Sequence, residues 1–492
     1  MKILEFFLKN QKLIIFGCLT LAAGFFIDKA LGVGILLVFF LSSVSLFFIE
    51  KCKDEKQRKI LGALFLIVFF IHILGVFLMY YANFQPFSDG GGDYTLYDQY
   101  ATQIAERVHQ GDFSLQGAIL DNYYPVIIGY LYSFTIPSML IGQLFNAWLA
   151  VLSIIMVYLI ARELGGKSKE SFLCGLILCI YPSLAFFGSL LLKDVVVILL
   201  CLIGLLSTIK IMRDFSIPKF LGFFIVLTGL IHFRFYVGYA LMFGFIISWF
   251  LISRIGLKKR IIYGIAIVFI LGFSPLMLGS GYYGFSNLIK YINPEKITFY
   301  KEIVYAPPIE VVVAEPPIVQ APILPKPSDP QPSTLKPVVV QPTATDPTAS
   351  QPADSGPGRG SSIALKTGLG NPVTFITNTF LSFVYAFFGP FPWQLEIKKY
   401  LFVLPEMILW YFLLFFIIKG IISSIKKRNQ MIFPLIIFSI FVMGVLSIYM
   451  SNFGIIIRLR MPVFLTLSCL FPLGFEMVKS IKIPFLEKIF YE

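Results

Sequence analysis

Charge is what this sequence has least of. Asp, Glu, Lys and Arg together make up 14% of its 492 residues, against roughly 25% in soluble domains. Length alone would suggest about three soluble domains, but so few ionic side chains cannot cover their surfaces. Cysteine and histidine are scarce as well. The six cysteines, Cys18, Cys52, Cys174, Cys179, Cys201 and Cys469, fall in apolar stretches or in the first basic loop and form no CxxC pair. That excludes a disulfide framework and a thiolate zinc site. His72, His109 and His232 stand far apart in the sequence, which argues against a histidine zinc site. What is abundant is apolar: 57% of residues are hydrophobic and 16% aromatic. They recur from end to end in stretches long enough to cross a bilayer. The pattern predicts an all-α polytopic membrane protein and excludes a soluble enzyme on one anchor.

The net charge of +13 sits in short clusters between the apolar stretches. Lys51, Lys53, Lys56, Arg58 and Lys59 form one; Lys258, Lys259 and Arg260 a second; Lys426, Lys427 and Arg428 a third. This is the positive-inside pattern that orients membrane proteins. No basic face interleaved with aromatics appears, so nucleic acid is not an expected partner. With about 20 apolar residues per span, about twelve spans are expected, near 13–28, 31–49, 60–81, 138–162, 171–190, 195–212, 219–232, 236–253, 261–279, 400–420, 431–450 and 461–479. The first runs into the second with no small-residue cleavage pattern, which predicts a retained span. An inner amino terminus places every basic cluster inside. The expected organisation is a transmembrane hairpin over 1–59, a transmembrane core over 60–300 with its first outer loop at 82–137, a proline-rich outer loop over 301–372, and an interfacial segment with the last spans over 373–492.

The outer loops differ in chemistry. Between Phe84 and Pro137 lie Asp89, Asp93, Asp98, Glu106, Asp112 and Asp121 against a single Arg107. Ser88-Asp89-Gly90-Gly91-Gly92 reads as a turn, followed by an amphipathic helix. Tyr97, Tyr100, Ala101, Ile104, Ala105 and Val108 recur on one face of it. Tyr123 to Phe134 is apolar but too short to span, which predicts an interfacial piece. In the second long loop, 307–357 holds 14 of the 29 prolines, a composition that favours an extended linker over a packed core. After it, 374–393 is aromatic and ends Gly389-Pro390-Phe391-Pro392-Trp393, which predicts an interfacial helix with Trp393 at headgroup level.

Few residues could carry chemistry. Asp93 suits a helix N-cap, and equally a general base beside a mobile glycine turn. Lys193 and Asp194 fall at an outer junction of two spans. Lysine there either snorkels to headgroups or holds a phosphate, and Asp194 either caps the next helix, or orients that phosphate or shares a divalent metal. Arg234, Arg458 and Arg460 also fall at outer edges, where a charge needs a partner. That partner is either the acidic first loop or a phosphate gripped bidentately. Carboxylates from one loop and cations from three span ends suit a reaction at an anionic lipid headgroup. They suit a transporter of an anionic solute as well.

Four stretches carry a resemblance. They are Asp93-Tyr94-Thr95-Leu96-Tyr97-Asp98, Tyr124-Pro125-Val126-Ile127-Ile128-Gly129-Tyr130, Asn146 through Ala161-Arg162-Glu163-Leu164-Gly165-Gly166, and Tyr181-Pro182-Ser183 through Leu192-Lys193-Asp194. Their order, strongest over about 80–240, resembles the GT-C superfamily of polytopic glycosyltransferases. Within it the sequence looks like the bacterial branch related to protein O-mannosyltransferases and lipid A aminoarabinose transferases. Pro390-Phe391-Pro392-Trp393 and Arg458-Leu459-Arg460-Met461-Pro462 add to the likeness. Two extra spans before Asp93 and the proline-rich insertion depart from it, as does Tyr94 where some branches carry a second acidic residue.

The resemblance implies an inverting transfer of a hexose or pentose from a polyprenyl-phosphate-linked donor to a lipid, glycan or protein acceptor. It implies a multi-pass protein of the bacterial inner membrane, acting on the outer face. Asp93 or Asp89 would be the base, a choice the sequence leaves open. Lys193, Arg234 and Arg458 or Arg460 would stabilise the departing donor phosphate, and Asp194, Tyr97 and Tyr124 would complete the substrate-binding site. No cofactor is required by it, although Asp93 and Asp194 could share a divalent metal. An O-antigen-type polymerase or ligase, or a lipid flippase or transporter, is the alternative.

Overall fold

The computed structural model describes residues 11–84, 92–113, 123–253, 255–268, 293–299, 371–391, 403–450 and 452–478. Asp89, Asp121, Trp393 and nearly all of the proline-rich loop lie outside the described residues. Helices make up the fold, with no strand among the described residues. The first two, α1 (Gln11–Ile27) and α2 (Lys29–Glu50), form a hairpin hinged at Asp28. The Asp28 carboxylate accepts from the Ala30 amide at 3.0 Å and so caps α2. Next come α3 (Glu55–Tyr80), the juxtamembrane pair α4 (Asp93–His109) and α5 (Tyr124–Phe134), and α6 (Met139–Glu163). The chain continues through α7 (Ser168–Cys179), α8 (Pro182–Gly188), α9 (Asp194–Arg213), α10 (Ile217–Phe233), α11 (Phe235–Ile252), α12 (Leu257–Val268) and the short α13 (Pro294–Thr298). Then follow α14 (Pro372–Phe388), α15 (Leu404–Lys426), α16 (Phe433–Tyr449), α17 (Phe453–Leu459), α18 (Met461–Ser468) and α19 (Phe471–Val478).

Seven of these helices are long and apolar enough to cross a membrane, or nine if two bent pairs each count as one span. The protein is therefore all-α and polytopic, but the expected twelve spans are not met. The seven match the expected stretches at 31–49, 60–81, 138–162, 195–212, 236–253, 400–420 and 431–450. The stretch at 171–190 is broken into α7 and α8, bent by 63°, and that at 461–479 into α18 and α19, bent by 42°. Each break precedes a proline, Pro182 or Pro472, which has no amide to continue the ladder. Of the remaining three stretches two are short, and 269–279 of the third lies outside the described residues. α1 and α10 have 17 residues each, about 25 Å of rise, and α12 has 12 described residues. Apolarity flagged all twelve; among the described residues, helix length and breaks reduce them.

The bundle centre is α6 and α9, whose apolar windows are 72% buried, against 33% for α2 and 39% for α3 and α15. The hydrophobic pattern of α6 runs almost all the way round, as expected of a helix without a water-facing side. Elsewhere glycine sets the spacing. A methyl group on Gly474 of α19 would overlap the Phe416 carbonyl of α15, and one on Gly420 would overlap that of Leu470. The two helices thus cross backbone to backbone. The juxtamembrane pair follows the same rule: a methyl on Gly129 would fall 2.6 Å from Ile104 and 3.0 Å from the Ala101 carbonyl.

The apolar face read for α4 is the one that packs. Tyr97, Ala101, Ile104 and Ala105 are buried, with Tyr100 and Val108 half-buried, and Tyr94 joins them. Between α4 and α5 the Tyr132 hydroxyl donates to Asp98 at 2.6 Å. Burial pushes the Asp98 carboxyl above the usual range, and that hydrogen bond partly opposes the shift.

Candidate functional site

The helix order brings four chain segments to one end of the bundle. They are the start of α4, the α8–α9 junction, the α10–α11 junction and α17. At their meeting point Asp194, only 3% exposed, accepts from two arginines. Arg234 donates from Nη2 to Oδ1, and Arg458 from Nε to Oδ2 at 2.5 Å. Arg458 then reaches across to Asp93, whose Oδ2 accepts from Nη1 at 2.8 Å. One guanidinium therefore bridges a buried carboxylate and one that is 50% exposed. Arg234 also donates to the Tyr236 hydroxyl at 3.3 Å.

Neither aspartate serves as the N-cap that its position in the sequence invited. Gly92 caps α4 and Lys193 caps α9, both without a side-chain cap bond. Asp93 and Asp194 are instead the first residues of their helices. There a carboxylate still favours the positive helix end, and it is aimed outward at the arginines.

Lys193 belongs to the same group. Burial first, and the neighbouring Arg234 guanidinium second, push its ammonium down to about 8. Arg458 is held protonated, because the pull of Asp194 and Asp93 outweighs its burial. Among the described residues the group counts Lys193, Arg234 and Arg458 against Asp93 and Asp194. One positive charge is left over, and Lys193 makes no ion pair with a described carboxylate. Such a cluster attracts an anion. It suits a divalent cation poorly, since both carboxylates already share a guanidinium. Among the described residues no three His, Cys, Asp or Glu side chains are placed to hold a metal ion.

Two expected substrate residues act underneath this group. The Tyr124 hydroxyl donates to Asn146 Oδ1 at 2.8 Å, and its ring meets Tyr97 edge-on at 5.4 Å. Asn146 Nδ2 donates to the carbonyls of Leu190 and Leu192 at 2.7 and 2.8 Å, which fixes the turn leading to Lys193 and Asp194. Both tyrosines are buried, so they position the site from below. A polar Asn in the middle of an apolar span was the available signal for this support.

Arg460 lies elsewhere. It is fully buried and donates to Glu406 Oε1 at 3.3 Å, to the Ala386 carbonyl at 3.1 Å and to the Gly389 carbonyl. Glu406 in turn accepts from the Tyr181 hydroxyl at 3.2 Å, the Ser183 amide at 3.1 Å and the Ser183 hydroxyl. This network ties the α7–α8 break to α14, α15 and α18. Sequence reading missed Glu406, although a lone carboxylate in the first turn of an apolar span implies a partner.

Neither a family model nor a curated protein matches this sequence.

Proposed function

We propose that the protein is an integral membrane glycosyltransferase that moves a sugar from a polyprenyl-phosphate donor to a lipid, glycan or protein acceptor. The observation that carries this reading is the surplus cation of the Lys193, Arg234 and Arg458 group, set at the membrane-end of the spans beside a half-exposed carboxylate. A lipid-linked phosphate is the anion whose charge and depth suit that place. The four sequence stretches resembling the GT-C superfamily support the same conclusion. The basic clusters around Lys56 and Lys426 lie at the opposite end of the bundle, which supports an outward-facing site in a bacterial inner membrane.

In this reading the donor phosphate sits against Lys193 and Arg458, which neutralise the charge it gains as the sugar leaves. Arg458 is then shared between phosphate and Asp194, and its hold on Asp93 weakens. Asp93 takes the proton of an acceptor hydroxyl, which attacks the anomeric carbon from the face opposite the phosphate and inverts it. Asp89 is the second candidate for the base.

The test is transfer itself. Membranes holding the protein, incubated with labelled polyprenyl-phosphate sugars and then extracted, should carry label into a lipid, polysaccharide or protein fraction. Absence of transfer from every such donor overturns the assignment. The central position of Arg458 also favours a second reading, an O-antigen-type polymerase or ligase, in which late arginines act without an acidic first loop. Asp93→Asn separates the two: it abolishes transfer in the first case and spares it in the second.

A further inference from the structure

At the other end of the bundle, far from the arginine and aspartate group, α3 and α7 enclose a groove of about 740 Å³ lined by Glu55, Lys56, Lys59, Ile60, Ala63, Lys169 and Phe172. Its residues are ordered along the helix axes. Lys56, Lys59, Ile60 and Ala63 form one stripe of α3, at the spacing that shares a helix face. Lys169 and Phe172 are one turn apart on α7. The row continues to Gly175, where the helices touch: a methyl there would fall 2.9 Å from Leu64. The groove therefore closes toward the bundle middle and opens toward the end, with ammonium groups at its mouth and apolar walls within. The stripe from Lys56 to Ala63 rises about 10 Å, the depth over which a bilayer passes from headgroup to acyl chain.

The charge of the lining is one-sided, with Asp54, which caps α3 and accepts from the Lys56 amide at 3.0 Å, beside it. Glu55 pairs with Lys59 at 2.8 Å, and Glu50 is engaged by Arg58 at 3.5 Å outside the groove. Three lysines thus face one glutamate in the lining. Holding the fold does not require this, since the Lys59–Glu55 pair is largely exposed and exposed pairs add little stability.

We propose that this groove binds one anionic phospholipid of the surrounding leaflet. The phosphate of a net-negative headgroup sits among Lys56, Lys59 and Lys169, and an acyl chain lies along Ile60, Ala63 and Phe172. A soluble phosphate would use the lysines but gain nothing from the apolar walls. The inference is independent of the glycosyltransferase reading, because the site lies at the opposite end of the spans.

Native mass spectrometry of the detergent-purified full chain tests it, with dioleoyl-phosphatidylglycerol and dioleoyl-phosphatidylcholine offered in equal amounts. The wild type should retain the anionic lipid at least about tenfold better. The triple variant K56Q/K59Q/K169Q should fall to the level of the zwitterionic lipid, whereas K258Q/K259Q in another basic cluster should behave as wild type. Ala63→Trp, which fills the apolar floor and keeps every charge, should also lose the anionic lipid. Equal retention of both lipids by the wild type overturns the proposal, as does undiminished retention by Ala63→Trp or displacement of the lipid by inorganic phosphate at constant ionic strength. Loss of the anionic lipid in K258Q/K259Q to the same degree as in the triple variant overturns it too, by reducing the effect to overall charge.

Discussion

Arg458 and Arg460 are two residues apart, and each meets a buried carboxylate from a distant segment. Their surroundings are otherwise opposed. Arg460 is sealed: it meets Glu406, two backbone carbonyls and the Met407 sulfur, and lies over the Phe464 ring at 4.6 Å. Phe464 is itself stacked on Trp410 at 3.6 Å. Its charge is matched one to one by Glu406. Arg458 is open on one side, spans two carboxylates, and belongs to a group with one positive charge to spare. A balanced, fully buried ion pair joins helices; an unbalanced group at the end of the spans leaves a charge for a ligand. The contrast marks Arg460 as a strut between helices and leaves Arg458 for the role that the proposed function gives it.

The largest effect should come from breaking the sealed side. Arg460→Leu leaves Glu406 buried with its cationic partner gone, and losses of this kind run to about 3–5 kcal/mol. Thermal unfolding of the detergent-solubilised variant should show a large drop in stability or no folded protein. The double change Arg460→Met with Glu406→Leu removes both charges together and should recover much of the loss. Failure of that rescue would mean the network does more than balance charge.

Second in size is the open side. Arg458→Gln removes the bridge between Asp93 and Asp194 where solvent can still reach Asp93. Asp194 keeps Arg234 as a partner, so the variant should lose clearly less stability than Arg460→Leu, while sugar transfer falls by about 10²–10³-fold. A stability loss matching that of Arg460→Leu would erase the distinction drawn between the two arginines.

The sequence made part of this contrast legible. Charges at the ends of apolar stretches are rare enough here that Asp93, Lys193, Asp194, Arg234 and Arg458 could be picked out singly, and the structure brings those five together. The apolar face of α4 was equally plain from its spacing. Arg458 and Arg460 could not be told apart, because a separation of two residues turns the side chain by about 200° around a helix and only the packing of α17 and α18 shows which side is closed. The span count fell short partly because hydropathy does not fix helix length, as in α1 and α10, and partly for a related reason. Pro182 and Pro472 were visible, but hydropathy averages across a bend, so 171–190 and 461–479 each read as one unbroken crossing.

A smaller effect is expected at Lys193. Methionine there removes a charge-assisted contact worth about 1.5–3 kcal/mol, so donor affinity should fall roughly 10–100-fold. Only the ammonium form attracts the phosphate, and its unliganded pKa is held down to about 8 by burial and by Arg234. Affinity in the wild type should therefore decline as pH rises through that value. A bound phosphate favours the charged form and moves the midpoint in the complex upward. Lys193→Arg, which stays charged, should remove the decline, and donor binding measured from pH 6.5 to 9.5 would show it. A flat profile for the wild type would place the surplus charge elsewhere in the group.

The smallest effect compares two buried tyrosine hydroxyls, one beneath each arginine. Tyr124 donates to Asn146 Oδ1 at 2.8 Å. Tyr124→Phe should leave the acceptor buried and bare, at a cost of about 1–3 kcal/mol. It should also loosen the Leu190–Leu192 carbonyls that set Lys193 and Asp194. Tyr181 donates to Glu406, but that carboxylate keeps Ser183 and Arg460 as donors, so Tyr181→Phe should cost less, nearer 1 kcal/mol. Paired melting curves and donor-binding measurements would read both changes. Tyr124→Phe should lower stability and affinity together, whereas Tyr181→Phe should lower stability alone. Affinity loss confined to Tyr181→Phe would reverse the roles of the two ends of α17, making the sealed network part of the binding site and the open cluster its support.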